Sequence, residues 1–578
     1  MRLLVFSIVL CGWLGAQTQL QQNYDSRNYN FLRTVGVGAT GALSTSGSGK
    51  VLTLRPCPWG LSTTSPVRIL EGTTSEIVTP TSVSCPGGSP SGTITVTTIN
   101  PYAAWSVRSA TAGIQEAINV STNNGAQRGT VFVSSGVHNM YAPVTYSGSM
   151  LSLSGTGFES TAVVQNHPSA SWFIFPVAAH SNEVSDMQLF GANKVSGWGI
   201  EMYDQFHFRA INLFIHGAGS GILVYDSFET YIDNCKIQEV YRGGGIGIKV
   251  DGVDDGGAET WITRTLLSNY PTEPGETSVG INVRTGGGMN LMGVTQVGHG
   301  IGMLVNPGVD QVAHWGFVIN SNFDTNRTHG VSFAPVDTGI AKGWVFTNSW
   351  SASNTLDGFN GVVGSGVIDG IALTAGSRAY NNQQRGIYFE GGINVSVQDF
   401  RSCGNGIAAS GVHGGVVFSG TTHFTVSGLT SGVCDTFVTP SQSYGLYVLG
   451  AADNYTINDV KLTGNVTGGL LDEGTGLFRT LGAKLISHAE RFPTVASASA
   501  FAIPNTDPET VVVTGTTALT TMTPAWWGRR IRLIFSNAAP GGVATGGAGN
   551  FAFAQAVSVI TNGSVDCEYG PTAAWYCR

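Results

Sequence analysis

At 578 residues the chain exceeds what one ordinary hydrophobic core serves, so it needs either several domains or a repeat architecture. Charged residues make up only 11% and the net charge is −8, which excludes a phosphate-neutralising nucleic-acid binder and a basic membrane-surface patch. With 42% apolar and 10% aromatic residues the chain is not disordered in type, and its solubility must come from Ser, Thr, Asn and 80 glycines.

The chain begins MRLLVFSIVLCGWLGAQ, with Arg2, an apolar run from Leu3 to Leu14 and the small pair Gly15-Ala16. This predicts a signal peptide over residues 1–16 and a secreted protein, extracellular or periplasmic. The run is too short to span a membrane, and no later segment is long and apolar enough. Residues 17–108 hold short β-like runs such as KVLTLRP and GTITVTT and read as an N-terminal β module. TAGIQEAINVSTNNG then predicts one short amphipathic helix, with Ile114, Ala117 and Ile118 on one face and Ser109 or Thr111 as its cap. GTVFV follows as a strand.

From there to residue 490 short strands and turns recur with almost no helical period. A Gly followed by alternating apolar residues starts at 199, 221, 247, 280, 302, 330, 386, 415 and 445, with a looser copy at 358, and successive starts lie 22 to 33 residues apart. A strand recurring at such intervals is a solenoid signature, since one coil cannot bury its apolar face alone. Residues one and three places after the Gly, such as Ile200 and Met202, Ile222 and Val224, Ile248 and Val250, point inward by the period of two. The glycines are expected to turn the corners, with Asn212 and Asn234 stacked at a second corner. The predicted architecture is an all-β, right-handed parallel β-helix over residues 109–490. Residues 491–578 change to VVVTG, RRIRLIF and AVSVI and form a C-terminal β module.

Removing the leader leaves seven cysteines. Their distribution predicts local disulfides Cys57–Cys85, Cys403–Cys434 and Cys567–Cys577 in an oxidising compartment, with Cys235 left to fill a core.

TAGIQEAIN followed by GTVFVSSGVHNM resembles the entry to the pectate-lyase-like superfamily of right-handed parallel β-helices, in which a short helix caps the core and such a strand leads into the first coil. The resemblance covers about residues 109–480, although VRSATAGIQ replaces the Asp-rich approach usual there. The superfamily includes polygalacturonase-like hydrolases, polysaccharide lyases and phage tailspikes. It implies an extracellular polysaccharide as partner, and it leaves enzyme and non-enzymatic glycan-binding spike both open. Polygalacturonase-like hydrolases use a Gly-His-Gly, matched by Gly298-His299-Gly300, and an Asp-Asp pair upstream, matched by Asp254-Asp255. Their Arg-Ile-Lys is absent here, and His329 and His413 sit in similar places before repeat glycines, which points to a turn position for His299.

The repeat itself offers a second candidate. GIEMYDQFHFRAIN at Gly199 and GILVYDSFETYIDN at Gly221 match at Gly, Ile, Tyr, Asp, Phe and Asn. Outward positions of successive coils read Glu201 and Tyr203, Leu223 and Tyr225, Lys249 and Asp251, then Asn282 and Arg284. Asp204 and Asp226 come next, one over the other. Adjacent strands lie about 4.8 Å apart, so these carboxylates could approach within roughly 5–6 Å and act as acid and nucleophile or base in glycoside cleavage. The expected catalytic pair is therefore Asp204 and Asp226, with Glu201, Tyr203, Tyr225, Lys249, Asp251 and Arg284 contacting substrate. The other reading is structural, with the aspartates capping turns and the tyrosines forming a ladder. No cofactor is implied, although the loop DGVDDGGAE (251–259) offers oxygen ligands to Ca²⁺. Trp526-Trp527 reads either as a sugar platform or as a core pair. The oligomeric state is open, a homotrimer included.

Overall fold

The computed structural model describes residues 24–578 apart from 26–33, 37–42, 192–194, 254–257, 270–274, 435–437, 487–493, 504–509, 537–549, 552–562 and scattered single residues and pairs. The signal peptide expected at residues 1–16 lies outside the described residues.

The chain divides into two compact units, residues 1–136 with 148–156, and residues 137–147 with 157–578. In the first, alternating β-branched residues build two small antiparallel sheets. Val67–Glu71 pairs with both Thr74–Val78 and Trp105–Ser109, and Gly47–Leu54 pairs with Gly92–Thr98. Leu52, Leu54, Val67, Ile69, Ile94, Val96 and Val107 form their core beside the Cys57–Cys85 disulfide. The helix, α1, spans Ile114–Ser121. Ile114, Ala117 and Ile118 are buried as expected, but so are Gln115, Glu116 and Asn119, so α1 is enclosed on nearly every side rather than amphipathic. Gly113 in left-handed conformation is its N-cap, not Ser109 or Thr111. Those two hydroxyls accept instead from the N–H groups of Gly113 (3.0 Å) and Gln115 (3.3 Å) and donate to the Glu116 carboxylate.

The second unit is a right-handed parallel β-helix of about twelve turns. One 13-stranded sheet collects the repeat strands, running from Val144–Thr145 through Trp198–Tyr203, Ser220–Tyr225, Ile246–Asp251 and Val279–Val283 to Gly468–Asp472. Ile200 faces Ile222, which faces Ile248, which faces Ile281, so each inward column stacks like on like. Ile200, Met202, Ile222, Val224, Ile248, Val250, Val331 and Phe333 are all fully buried.

The repeat glycines do not turn corners. Gly199, Gly221, Gly247, Gly280 and Gly302 lie inside their strands, where a Cβ on Gly221 would stand 2.2 Å from the carbonyl oxygen of Gly247. Close approach of successive coils, rather than φ, demands them. Corners are made by Asp, Asn and a few other residues at positive φ, including Asp186, Asn212, Asn234, Asn320 and Asn348. There Asn212 donates to Asp186 (2.9 Å) and accepts from Asn234 (2.6 Å), the stacking expected of these asparagines.

A second amide ladder runs inside the helix, fully buried. Asn354 Oδ1 accepts from the backbone and side-chain N–H groups of Asn326 (both 2.9 Å), and Asn382 Oδ1 accepts likewise from Asn354. Asn405 and Gln442 continue it. Satisfying both the backbone and the preceding amide lets these polar groups stay dry at little cost. The Cys403–Cys434 disulfide lies in this unit, as do the C-terminal strands Thr510–Thr514, Arg530–Phe535 and Gly563–Tyr569, packed around Val511, Val513, Leu533 and Trp575, with Cys567–Cys577 tying the last of them to Trp575–Cys577. Cys235 is free and buried, and burial pushes its thiol up to about 12, as suits an inert core side chain. No helix among the described residues is long and apolar enough to cross a membrane.

Candidate functional site

At the downstream end of the early repeat strands, the chain steps through a left-handed residue into a short outer strand. Asp204 (φ 52°) and Asp226 (φ 47°) hold this position in successive coils. Both residues favour such φ because their short side chains bond locally. Asp204 N–H donates to Tyr225 O and Asp226 N–H to Asp251 O, both at 3.0 Å, so the two aspartates sit one coil apart in register, about 4.8 Å along the helix axis.

Below them the floor is rigid. Gln205 and Ser227 are fully buried, and Gln205 Nε2 donates to the carbonyls of Val177 (2.6 Å) and Tyr203 (2.9 Å) while its Oε1 accepts from Asn182 (2.9 Å). Ser227 Oγ accepts from Gln205 N–H at 3.0 Å. With the residues between them pinned, the side chains at 204, 206, 226 and 228 are aimed outward from fixed backbone.

Those side chains make an open cleft of about 750 Å³, lined by Ala178, Ala179, His180, Ser181, Asp204, Phe206, His207, Asp226 and Phe228. Phe206 and Phe228 stack with centroids 5.1 Å apart and planes within 23°, and Phe206 is 48% exposed. Strand pairing sets His180 beside Phe206. Behind the phenylalanines, His207 Nε2 contacts the Glu229 carboxylate at the next corner. The cleft thus carries two carboxylates, two imidazoles and an exposed aromatic stack.

The expected site residues divide. Asp204 and Asp226 line the cleft together. Glu201, Tyr203 and Tyr225 lie on the strands that lead into it: Glu201 accepts from Ser171 and from the Tyr203 hydroxyl (2.8 Å), and the Tyr203 and Tyr225 rings are 5.5 Å apart. Burial first, then the negative charges of Asp226, Asp251 and Asp204, raise the Tyr225 phenol, so this tyrosine stays neutral. Lys249, Asp251 and Arg284 are not brought to the cleft. Asp251 is buried and pairs with Lys249 Nζ (2.6 Å) and Arg284 Nη1 (3.7 Å), while Gln311 Nε2 donates to its Oδ1 (3.3 Å). Opposite charges two residues apart on one strand face satisfy each other.

His299 is fully buried. Its N–H donates to Asn326 Oδ1 (3.1 Å) and its Nδ1 meets Gln296 Nε2 (2.7 Å), so it heads the inner amide ladder. Burial lowers its pKa to about 3, so it is neutral, and the same burial leaves no surface for a substrate to touch. Asp254 and Asp255 of the acidic loop lie outside the described residues. Among the described residues no group of three or more His, Cys, Asp or Glu is placed to hold a metal. Trp527 is 64% exposed and so is not half of a core pair; Trp526 lies outside the described residues.

Sequence reasoning missed His180, Phe206, His207 and Phe228. The signal for two of them was present: Phe206 and Phe228 are the phenylalanines that keep step between the two aligned repeats. His180 belongs to a coil without the Gly-led strand, so no alignment marks it.

The chain matches no protein-family model and no curated protein. Solved structures of similar form include the Azotobacter vinelandii mannuronan C-5 epimerase AlgE4 A-module, at 15% identity and TM-score 0.40, covering 64% of this chain and 95% of that one. The pre-mature gene product 12 of bacteriophage phi29 aligns at 12% identity and TM-score 0.46, covering 70% and 61%. DFA-IIIase from Arthrobacter chlorophenolicus A6 aligns at 12% identity and TM-score 0.41, covering 60% and 90%.

Proposed function

We propose that this is an extracellular carbohydrate-active β-helix protein that binds a glycan chain in the Asp204–Asp226 cleft and hydrolyses it. The observation that carries the reading is the placement of two carboxylates in register, one coil apart, beside an exposed phenylalanine stack. Sugar rings present apolar C–H faces that pack on aromatic edges and faces, while their hydroxyls need acceptors at the rim. Carboxylates roughly 5 Å apart match the spacing at which one protonates the leaving oxygen and the other attacks the anomeric carbon. The cleft is rich in carboxylates, with Glu229 behind it, so a neutral glycan fits better than a polyuronate. Hydrolysis is preferred over β-elimination because the strand cations that an eliminase would use, Lys249 and Arg284, are committed to Asp251.

A second reading, glycan binding without cleavage, is favoured by one contact. Asp226 Oδ1 accepts the Val253 N–H at 2.7 Å, a bond suited to an aspartate that caps a turn. Screening the purified protein against neutral polysaccharides separates these readings. New reducing ends without unsaturated products support hydrolysis, reducing ends with absorbing unsaturated products mean a lyase, and binding with neither means a lectin-like surface protein.

A further inference from the structure

Cations are scarce in this chain, and most that stand on the β-helix surface have an acidic partner: Arg209 with Glu183, Lys249 and Arg284 with Asp251, Arg264 with Asp233, Lys342 with Asp369, Arg385 with Asp357. One column departs from this. On the strands Trp350–Ala352, Arg378–Tyr380, Arg401–Cys403, Thr430–Gly432 and Val460–Thr463, register pairs Trp350 with Arg378, Arg378 with Arg401, Arg401 with Thr430 and Thr430 with Lys461. All five side chains point outward, since the residues that follow them, Ser351, Ala379, Ser402, Ser431 and Leu462, are buried. Among the described residues Arg378, Arg401 and Lys461 have no acidic partner. Arg378 only lies over the Trp350 ring, 5.3 Å from its centroid, and Trp350 is 40% exposed.

We propose that this column is a second binding site, separate from the cleft, for an anionic polysaccharide chain lying along the helix axis. Holding unpaired cations at neighbouring positions costs mutual repulsion, which a bound polyanion would relieve. Their spacing is set by the coil repeat, about 4.8 Å between Arg378 and Arg401 and twice that from Arg401 to Lys461. A chain of 1,4-linked pyranosides advances by a similar step, so each coil can meet one sugar, with Thr430 offering a hydroxyl to the unit between charges. Trp350 supplies an apolar end stop against a ring face. Asp399 and Asp459 occupy the corner two residues before Arg401 and Lys461, and Asp324 lies one coil before Trp350 in the adjoining column. These carboxylates would repel an anion that strayed sideways and confine it to the stripe. Three cations are too few to hold a nucleic acid, whose binders neutralise many phosphates. The proposal is independent of the hydrolytic reading of the cleft.

Affinity electrophoresis of the full chain in gels containing polygalacturonate, dextran sulfate or neutral dextran tests it. Both polyanions should retard the protein, and neutral dextran should not do so through this face. Replacing Arg378, Arg401 and Lys461 together by Ser should weaken polyanion binding by at least about tenfold and flatten its salt dependence by two to three ions. Arg401→Gln with Lys461→Gln, both at exposed positions, should give an intermediate loss and guards against misfolding of the triple variant. Trp350→Ala should weaken polygalacturonate binding at unchanged salt slope. Absence of retardation by either polyanion, equal retardation of the triple variant, or tighter binding of a single-stranded oligodeoxynucleotide than of polygalacturonate would overturn the assignment.

Discussion

The early coils, from Phe173 to Asp251, and the later ones, from His299 to Gln442, use polar residues in opposite ways. In the early coils the inward columns of the main sheet are hydrocarbon and the chemistry is outside: Asp204, Asp226, Phe206 and Phe228 around an open cleft. In the later coils a polar column also runs inside, as the amide ladder from His299 to Gln442, while the main sheet's outward positions include plain residues such as Ser332 and Asn360 and the outward cations Arg378 and Arg401 stand on another sheet. A polar column inside a solenoid is a structural device, because every donor and acceptor must be spent on a neighbour. A polar column outside has capacity left for a ligand. Position relative to the wall, not residue type, therefore separates a functional side chain from a structural one.

The largest expected effect tests the outer column. Asp204→Asn or Asp226→Asn should lower glycan hydrolysis by about 10²–10⁴-fold with an unchanged melting temperature, since both side chains face outward. Full turnover in the double variant, read from reducing ends, would return the pair to a turn-capping role. Next comes the inner wall. Val250→Asp should destabilise by about 3–5 kcal/mol through an unpaired buried charge, whereas Lys461→Ala at an exposed outward position should cost far less. Equal unfolding midpoints in denaturant for the two variants would sink the inward assignment.

Glu116 extends the rule to α1, where a fully buried carboxyl is raised to about 7 by desolvation, which outweighs its hydrogen bonds. A raised folded pKa means that the protonated form is favoured by folding. Stability is fully present below the unfolded value near 4.5 and is lost as pH rises to about 7. Glu116→Gln should therefore gain about 3 kcal/mol at pH 8 and nothing at pH 4, a difference that denaturant titrations at the two pH values would detect. The smallest effect concerns His299, held near 3 by burial. Its depressed pKa contributes stability that is present above about 6.5 and is lost as pH falls toward 3. His299→Asn should keep full turnover at neutral pH and should lose less of its own stability than the parent does on acidification. A large drop in activity at pH 7 would restore the Gly-His-Gly to catalysis.

Much of this was legible in the residues alone. The Gly-led strands at 199, 221, 247, 280 and 302 define coils because a strand alternates faces with a period of two, so Ile200, Val224 and Val250 could only point inward together. Asp204 and Asp226 fall in step for the same reason, as do Phe206 and Phe228. The three disulfides follow from local pairing. Other features were not legible. The repeat glycines serve close packing rather than corners, because what they avoid is a carbonyl on the next coil, a contact that exists only once the coils are stacked. His180 joins the cleft from a coil whose strand lacks the repeat pattern.

What the sequence by itself determined is the solenoid and the direction in which each strand residue points, since both are local consequences of backbone pleat and hydrophobic periodicity. Only the tertiary structure decided which outward residues remain open. Leu223 and Asn282 are on the outward face yet buried, Asp251 is sealed by Lys249, Arg284 and Gln311, and Asp204 and Asp226 line a cleft. That choice depends on loops of unequal length and on charge partners one coil or two coils away in space, and a one-dimensional period carries no information about either.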